Sequence, residues 1–156
     1  MALPRDILRK RLKNEIQICK DKLAHRVSPR DMSLSVFPTS FDVELYGVPA
    51  LAAVGDSIVS IYNHSLVIEI TEEYPYQKPV VRWQTPIFHP NIMSPEDGGY
   101  VCTKLLQNWS FASNLYSFIL SLEVLLTHPN PKSPHGTRTC TMAAEYFNKF
   151  VSGNSK

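Results

Sequence analysis

The chain has 156 residues, of which 44% are hydrophobic and 19% charged, enough for one ordinary core without disulfide staples. A formal charge of +2 excludes the global basic field that would by itself drive binding to nucleic acid or an anionic membrane, so neither is expected as a partner. Apolar stretches are too short to span a bilayer, and Arg5, Asp6, Arg9, Lys10, Arg11 and Lys13 replace the apolar segment of a secretory leader, so a cytoplasmic protein is expected.

Pro4 and Asp6 suit a first helical turn. Leu8, Leu12, Ile16, Cys19 and Leu23 then recur every three or four residues, which predicts an amphipathic N-terminal helix with Cys19 on its buried stripe. After Ser28-Pro29 the period becomes two. Leu34 and Val36, then Phe41, Val43 and Leu45, predict half-buried antiparallel strands. Ser57 to Ile61 and Leu66 to Ile70, separated by Asn63-His64, read as further strands, as does Val80 to Trp83, giving a meander of about four.

From Thr85 to Trp109 regular periodicity vanishes, and Pro86, Pro90, Pro95, Gly98 and Gly99 mark a connection long enough to be functional. Ser113 is placed to cap a core helix carrying Leu115, Phe118, Ile119, Leu122 and Leu126, which His128-Pro129 ends. A proline-bearing loop leads to a last helix, Thr141 to Phe150, and residues 152–156 form a tail expected to fray. The whole, residues 1–156, reads as a single α+β domain.

Cys19, Cys102 and Cys140 are odd in number and lack neighbours at zinc-ligand spacing, so no disulfide framework, metal or cofactor is expected. Cys140, at a helix start where a thiol pKa can fall, is the rival of Cys102 as nucleophile.

Between Tyr74 and Pro134 a series of spaced marks resembles the ubiquitin-conjugating enzyme family. They are Tyr74-Pro75-Tyr76 with Pro79, His89-Pro90-Asn91, Gly99-Tyr100-Val101-Cys102, Leu105-Leu106, Trp109-Ser110, and Pro129-Asn130-Pro131 with Pro134. The resemblance implies a UBC-like fold and a carrier that takes the C-terminus of ubiquitin or a ubiquitin-like protein from an activating enzyme as a thioester on Cys102. The carrier then passes it to a lysine amine, usually with a ubiquitin ligase. It implies Asn91 as donor to the oxyanion of aminolysis, in an open groove beside the sulfur, or as a tie within the loop. His89, Pro90, Asn130 and Ser133 would support that loop. Arg5, Arg9, Tyr76, Ser110, Phe111 and Ala112 would form the surface for ligase and activating enzyme.

The sequence also departs from the family. Lys132 and Ser133 stand where an acidic residue often helps deprotonate the incoming lysine, whose ordinary pKa is about 10.4. Glu96 and Asp97, in an apparent insertion, are candidates to replace it, or simply solvate the insertion. Val48 to Ser65 lacks the usual turn and is several residues longer. A catalytically weak or inactive binding adaptor of the same fold is the alternative function, and a thiol hydrolase pairing Cys102 with His89 is a third.

Overall fold

The computed structural model describes residues 2–23, 27–28, 34–102 and 109–154. Thr103, Lys104, Leu105 and Leu106 lie outside the described residues, as do Pro29, the side chain of Phe150 and residues 155–156.

Helix α1 (Arg5–Lys22) buries Leu8, Leu12, Ile16 and Cys19, the stripe anticipated from spacing, and adds a buried carboxylate, Glu15. Strands follow as β1 (Val27–Ser28), β2 (Thr39–Leu45), β3 (Ala50–Val54), β4 (Ser57–Ile61), β5 (His64–Ile70) and β6 (Val80–Trp83). The antiparallel main sheet has the order β1-β2-β5-β6. Phe41, Val43 and Leu45 point inward from β2 while Ser40 and Asp42 face solvent, the alternation a one-sided sheet requires. Leu34 and Val36 do not form the expected strand. The ladder begins only at Thr39, because Pro38 has no N–H to donate to it.

The expected pairing of Ser57–Ile61 with the following strand is likewise corrected. β4 pairs with β3 through the two-residue Gly55-Asp56 turn, and this hairpin stands outside the main sheet. Gly55 holds φ at +59°, the left-handed backbone that such turns demand.

Helix α2 (Leu115–Thr127) buries Leu115, Phe118, Ile119, Leu122, Leu125 and Leu126. Its cap is Asn114 rather than Ser113: the Asn114 side chain accepts from Ser117 N–H at 2.8 Å, and Ser117 Oγ accepts in return from Asn114 N–H at 3.3 Å. Ser113 Oγ instead accepts from Ser110 N–H, closing the turn ahead of the helix. Helix α3 (Arg138–Asn154) starts before and ends beyond the expected limits. Helices α1 and α2 share one core with the main sheet, in which Tyr74 and Trp83 are the largest fully buried side chains.

Candidate active site

The segment expected to carry the chemistry is a hairpin laid on the sheet's β6 edge. Met93 N–H donates to Tyr100 C=O at 2.9 Å, Ile92 bridges Val101, and Cys102 N–H donates to Asn91 C=O at 2.8 Å, so Asn91 and Cys102 are cross-strand partners. Opposed residues of an antiparallel pair send their side chains to the same face, with Cβ atoms roughly 4.5–5.5 Å apart. Ile92 and Val101 are such a pair, and both are buried in the core. The pairing therefore brings the backbones of Cys102 and Asn91 together at the hairpin's open end, with Asn91 fully buried and Cys102 8% exposed.

The hairpin is fixed to the sheet by Trp83 N–H donating to Gly99 C=O at 2.7 Å and by an Arg82–Tyr100 bridge. Gly99 must be glycine: at φ +74° a Cβ would stand 2.4 Å from Trp83 O and 2.7 Å from Trp83 N.

Asn91 is fully buried and its amide is saturated. Nδ2 donates to Asn130 C=O and to Ser133 C=O, each at 3.0 Å, while Oδ1 accepts from Asn130 N–H at 2.7 Å. Of its two expected roles, the structure displays the loop tie, with both amide hydrogens already engaged. Asn130 and Ser133 support the site through their backbone carbonyls, and Pro90 does so by accepting from His135 N–H at 2.8 Å.

His89 is buried, with Nε2 at 2.9 Å from Leu125 C=O and Nδ1 accepting from Asn91 N–H at 3.0 Å. Those partners define the neutral ring with its proton on Nε2. Burial holds its pKa down to about 4. With neither nitrogen open to the thiol, a Cys–His hydrolase pairing has no base.

Cys102 does not lie in the open groove expected. It is 8% exposed, with its N–H donated to Asn91 C=O. It is still the most accessible thiol, against 1% for Cys19 and none for Cys140. Cys140 is not the activated helix-start thiol. Its Sγ donates to Ile92 C=O at 3.3 Å, and burial pushes its pKa up.

Glu96 and Asp97 sit in a 3-10 turn, Pro95–Asp97, at the closed end of the hairpin. Cys102 lies at the open end, about 10 Å along the strand at some 3.3 Å per residue. Asp97 Oδ2 accepts from Ser94 Oγ at 3.0 Å and from Thr139 Oγ1 at 3.4 Å, which clasps the turn to the start of α3. Of their two expected roles, the structure displays the plainer one: Glu96 is exposed at the turn, and Asp97 serves the turn's geometry.

The aromatic surface forms as expected in its centre. Tyr76 and Phe111 are about half exposed with ring centroids 5.4 Å apart, beside Ser110 and Ala112. Its basic component is different. Arg5 reaches Glu72 at 3.6 Å, and Arg9 donates to Leu34 C=O at 2.8 Å. Arg11, which spacing alone did not single out, lies over the Phe111 ring at 4.8 Å and donates to Phe111 C=O at 2.6 Å and Ser113 C=O at 2.7 Å. Behind it, Glu15 accepts from Arg11 Nε at 3.1 Å, Tyr74 Oη at 2.6 Å and Leu115 N–H at 3.0 Å. An acid at a buried helical position, four residues from a basic one, was the available signal.

The family model for ubiquitin-conjugating enzyme matches residues 53–153, a span that includes every residue of the Asn91–Cys102 pairing. The chain belongs to the ubiquitin-conjugating enzyme family. It is 36% identical over 103 residues to the protein named probable ubiquitin-conjugating enzyme E2 L460 of Acanthamoeba polyphaga mimivirus, a match covering 65% of this chain and 61% of that relative. It is 32% identical over 87 residues to ubiquitin-conjugating enzyme E2 2 of Kluyveromyces lactis, covering 55% of this chain and 51% of the relative. The matches thus span between half and two thirds of these curated relatives. Among solved structures, S. cerevisiae Ubc12 superposes with a TM-score of 0.67 at 24% identity, over 90% of this chain and 71% of that one, a likeness of fold. The α+β, UBC-like architecture is the family's.

Proposed function

We propose that this chain is a thioester carrier that conjugates ubiquitin or a ubiquitin-like modifier to lysine. The observation that supports the reading is the backbone pairing of Cys102 with Asn91, which holds the most accessible thiol beside the segment that the Asn91 amide organises. In the first step the Cys102 thiolate attacks the thioester held by the activating enzyme. The new carbon–sulfur bond forms as the enzyme's own thiolate leaves. In the second step a neutral lysine amine attacks the carbonyl carbon, the Cys102 thiolate departs, and the ammonium proton is lost to solvent as the amide forms.

Neither His89 nor Ser133 supplies a base to the thiol: His89 is spent on structure, and Ser133 offers no carboxylate. Transfer is accordingly slow until a ligase docks at Tyr76, Phe111 and Arg11. For Asn91 to steady the oxyanion, one of its two donor bonds to the 130–133 loop must open, so aminolysis is coupled to a shift of that loop.

The test is incubation with activating enzyme, ATP and a panel of modifiers. A reductant-sensitive adduct on the wild-type chain, replaced by a reductant-stable ester in Cys102→Ser, is the expected result. Failure to form either adduct with every modifier would assign the chain to the adaptor class instead.

A further inference from the structure

The β3–β4 hairpin carries a feature that conjugation chemistry does not use. In a hairpin closed by a two-residue turn, Val54 and Ser57 form a hydrogen-bonded pair, and such pairs alternate along the ladder. Ala52–Val59 and Ala50–Ile61 therefore point their polar groups at each other, whereas Leu51, Ala53, Ile58 and Ser60 point theirs outward. The outer edge of β3 is used: Leu51 C=O accepts from Phe88 N–H at 2.8 Å, which also confirms the phase. The outer edge of β4 is open. Among the described residues, no strand pairs with it and no backbone bond reaches the N–H and C=O groups of Ile58 and Ser60.

Edge strands in soluble proteins are commonly protected by a charge, a proline or a bulge. Ser57-Ile58-Val59-Ser60-Ile61 has no charge or proline, and its register with β3 is unbroken. Val59 is 37% exposed, and Val54, on the same hairpin face, is 59% exposed. We propose that this edge is a self-association surface whose occupant is β4 of a second copy, paired antiparallel about a twofold axis through Val59.

The geometry is self-complementary. Centring the pairing on Val59 sets Ile58 opposite the second copy's Ser60 and Ser60 opposite its Ile58. All the outward-facing groups on both strands then find partners, four bonds in total by the antiparallel pattern. The two Val59 side chains meet as a non-hydrogen-bonded pair, the closest approach such a ladder offers. The nearest charge, Asp56, falls opposite the second copy's Tyr62, so no like charges oppose each other across the ladder. A charged peptide finds no complementary charge along Ser57–Ile61, and a second copy brings the one strand guaranteed to match. The ladder is short, so the dimer is weak and concentration-dependent.

Sedimentation of the full chain from micromolar to millimolar concentration should show a reversible monomer–dimer equilibrium. Val59→Lys sets two ammonium groups face to face and should weaken it by at least about tenfold. Circular dichroism and thioester formation should stay at wild-type levels in that variant. Val59→Cys should form a disulfide dimer under oxidised glutathione, which leaves as two reduced thiols. Val54→Cys, more exposed but off the axis, should not. A chain that stays monomeric throughout, a dimer indifferent to Val59→Lys, or equal cross-linking at positions 54 and 59 would overturn the proposal, and these readouts do not depend on conjugating activity.

Discussion

Each of the three thiols meets a different surrounding. Burial and the nearby Glu15 carboxylate push the Cys19 pKa up to about 12, and Cys140 is raised by burial as well. Reaction of the native chain with iodoacetamide near neutral pH should therefore modify Cys102 first, with Cys19 and Cys140 protected until unfolding, as peptide mass spectrometry would reveal. Equal labelling of Cys140 would contradict its bond to Ile92. His89 supplies a second prediction. The unfolded ring takes up a proton near its ordinary pKa of 6.5, whereas the native ring resists until about 4. Its contribution is thus complete above pH 6.5 and falls away as pH drops toward 4, by about 3 kcal/mol in all. Buried His64, whose pKa is also lowered, acts in the same direction. Urea midpoints measured across this window should fall with acidification, less steeply in His89→Gln. His-Pro-Asn was legible as a motif, but that both His89 nitrogens and the whole Asn91 amide are consumed by backbone partners could only emerge from the fold.

At the level of elements, the sequence announced those with strong periodicity and hid those made by partners. The α1 stripe, β6 and α2 were readable because their apolar spacing is set by one dominant buried face. β3 was not: Ala50–Val54 is nearly uniform in side-chain character and carries no alternation to mark a strand, so it is defined by pairing with β4. The Glu15 hub joins α1, the segment after β5 and the start of α2. Glu15→Ala leaves Arg11 Nε–H, the Tyr74 hydroxyl and the Leu115 N–H without their acceptor. It should cost about 3 kcal/mol in chemical denaturation. Gly99→Ala forces a methyl group into the Trp83 backbone. A loss of about 3 kcal/mol or more is expected. Thioester formation should fail in this variant even at temperatures where circular dichroism still reports a folded chain, because the Asn91–Cys102 hairpin has to leave β6.

Across the whole molecule, the exposed aromatic pair and the Cys102 arm are organised by separate devices. The Arg11–Glu15 pair supports Phe111, while Trp83 and Gly99 hold the Cys102 arm. Phe111→Ala should consequently leave the melting temperature and the accessibility of Cys102 close to wild type. Ligase-stimulated discharge to lysine should fall by about tenfold or more, the usual effect of removing an exposed aromatic anchor. Unchanged discharge would place the ligase surface elsewhere. The bond from Trp83 N–H to Gly99 C=O has one more consequence. A modifier protein tethered to the sulfur would tug on its anchor at every tumbling step. Because the Cys102 arm is riveted alongside β6, that load would be taken in shear by the sheet, and the acyl carbon would be kept at a steady address while its bulky passenger swings.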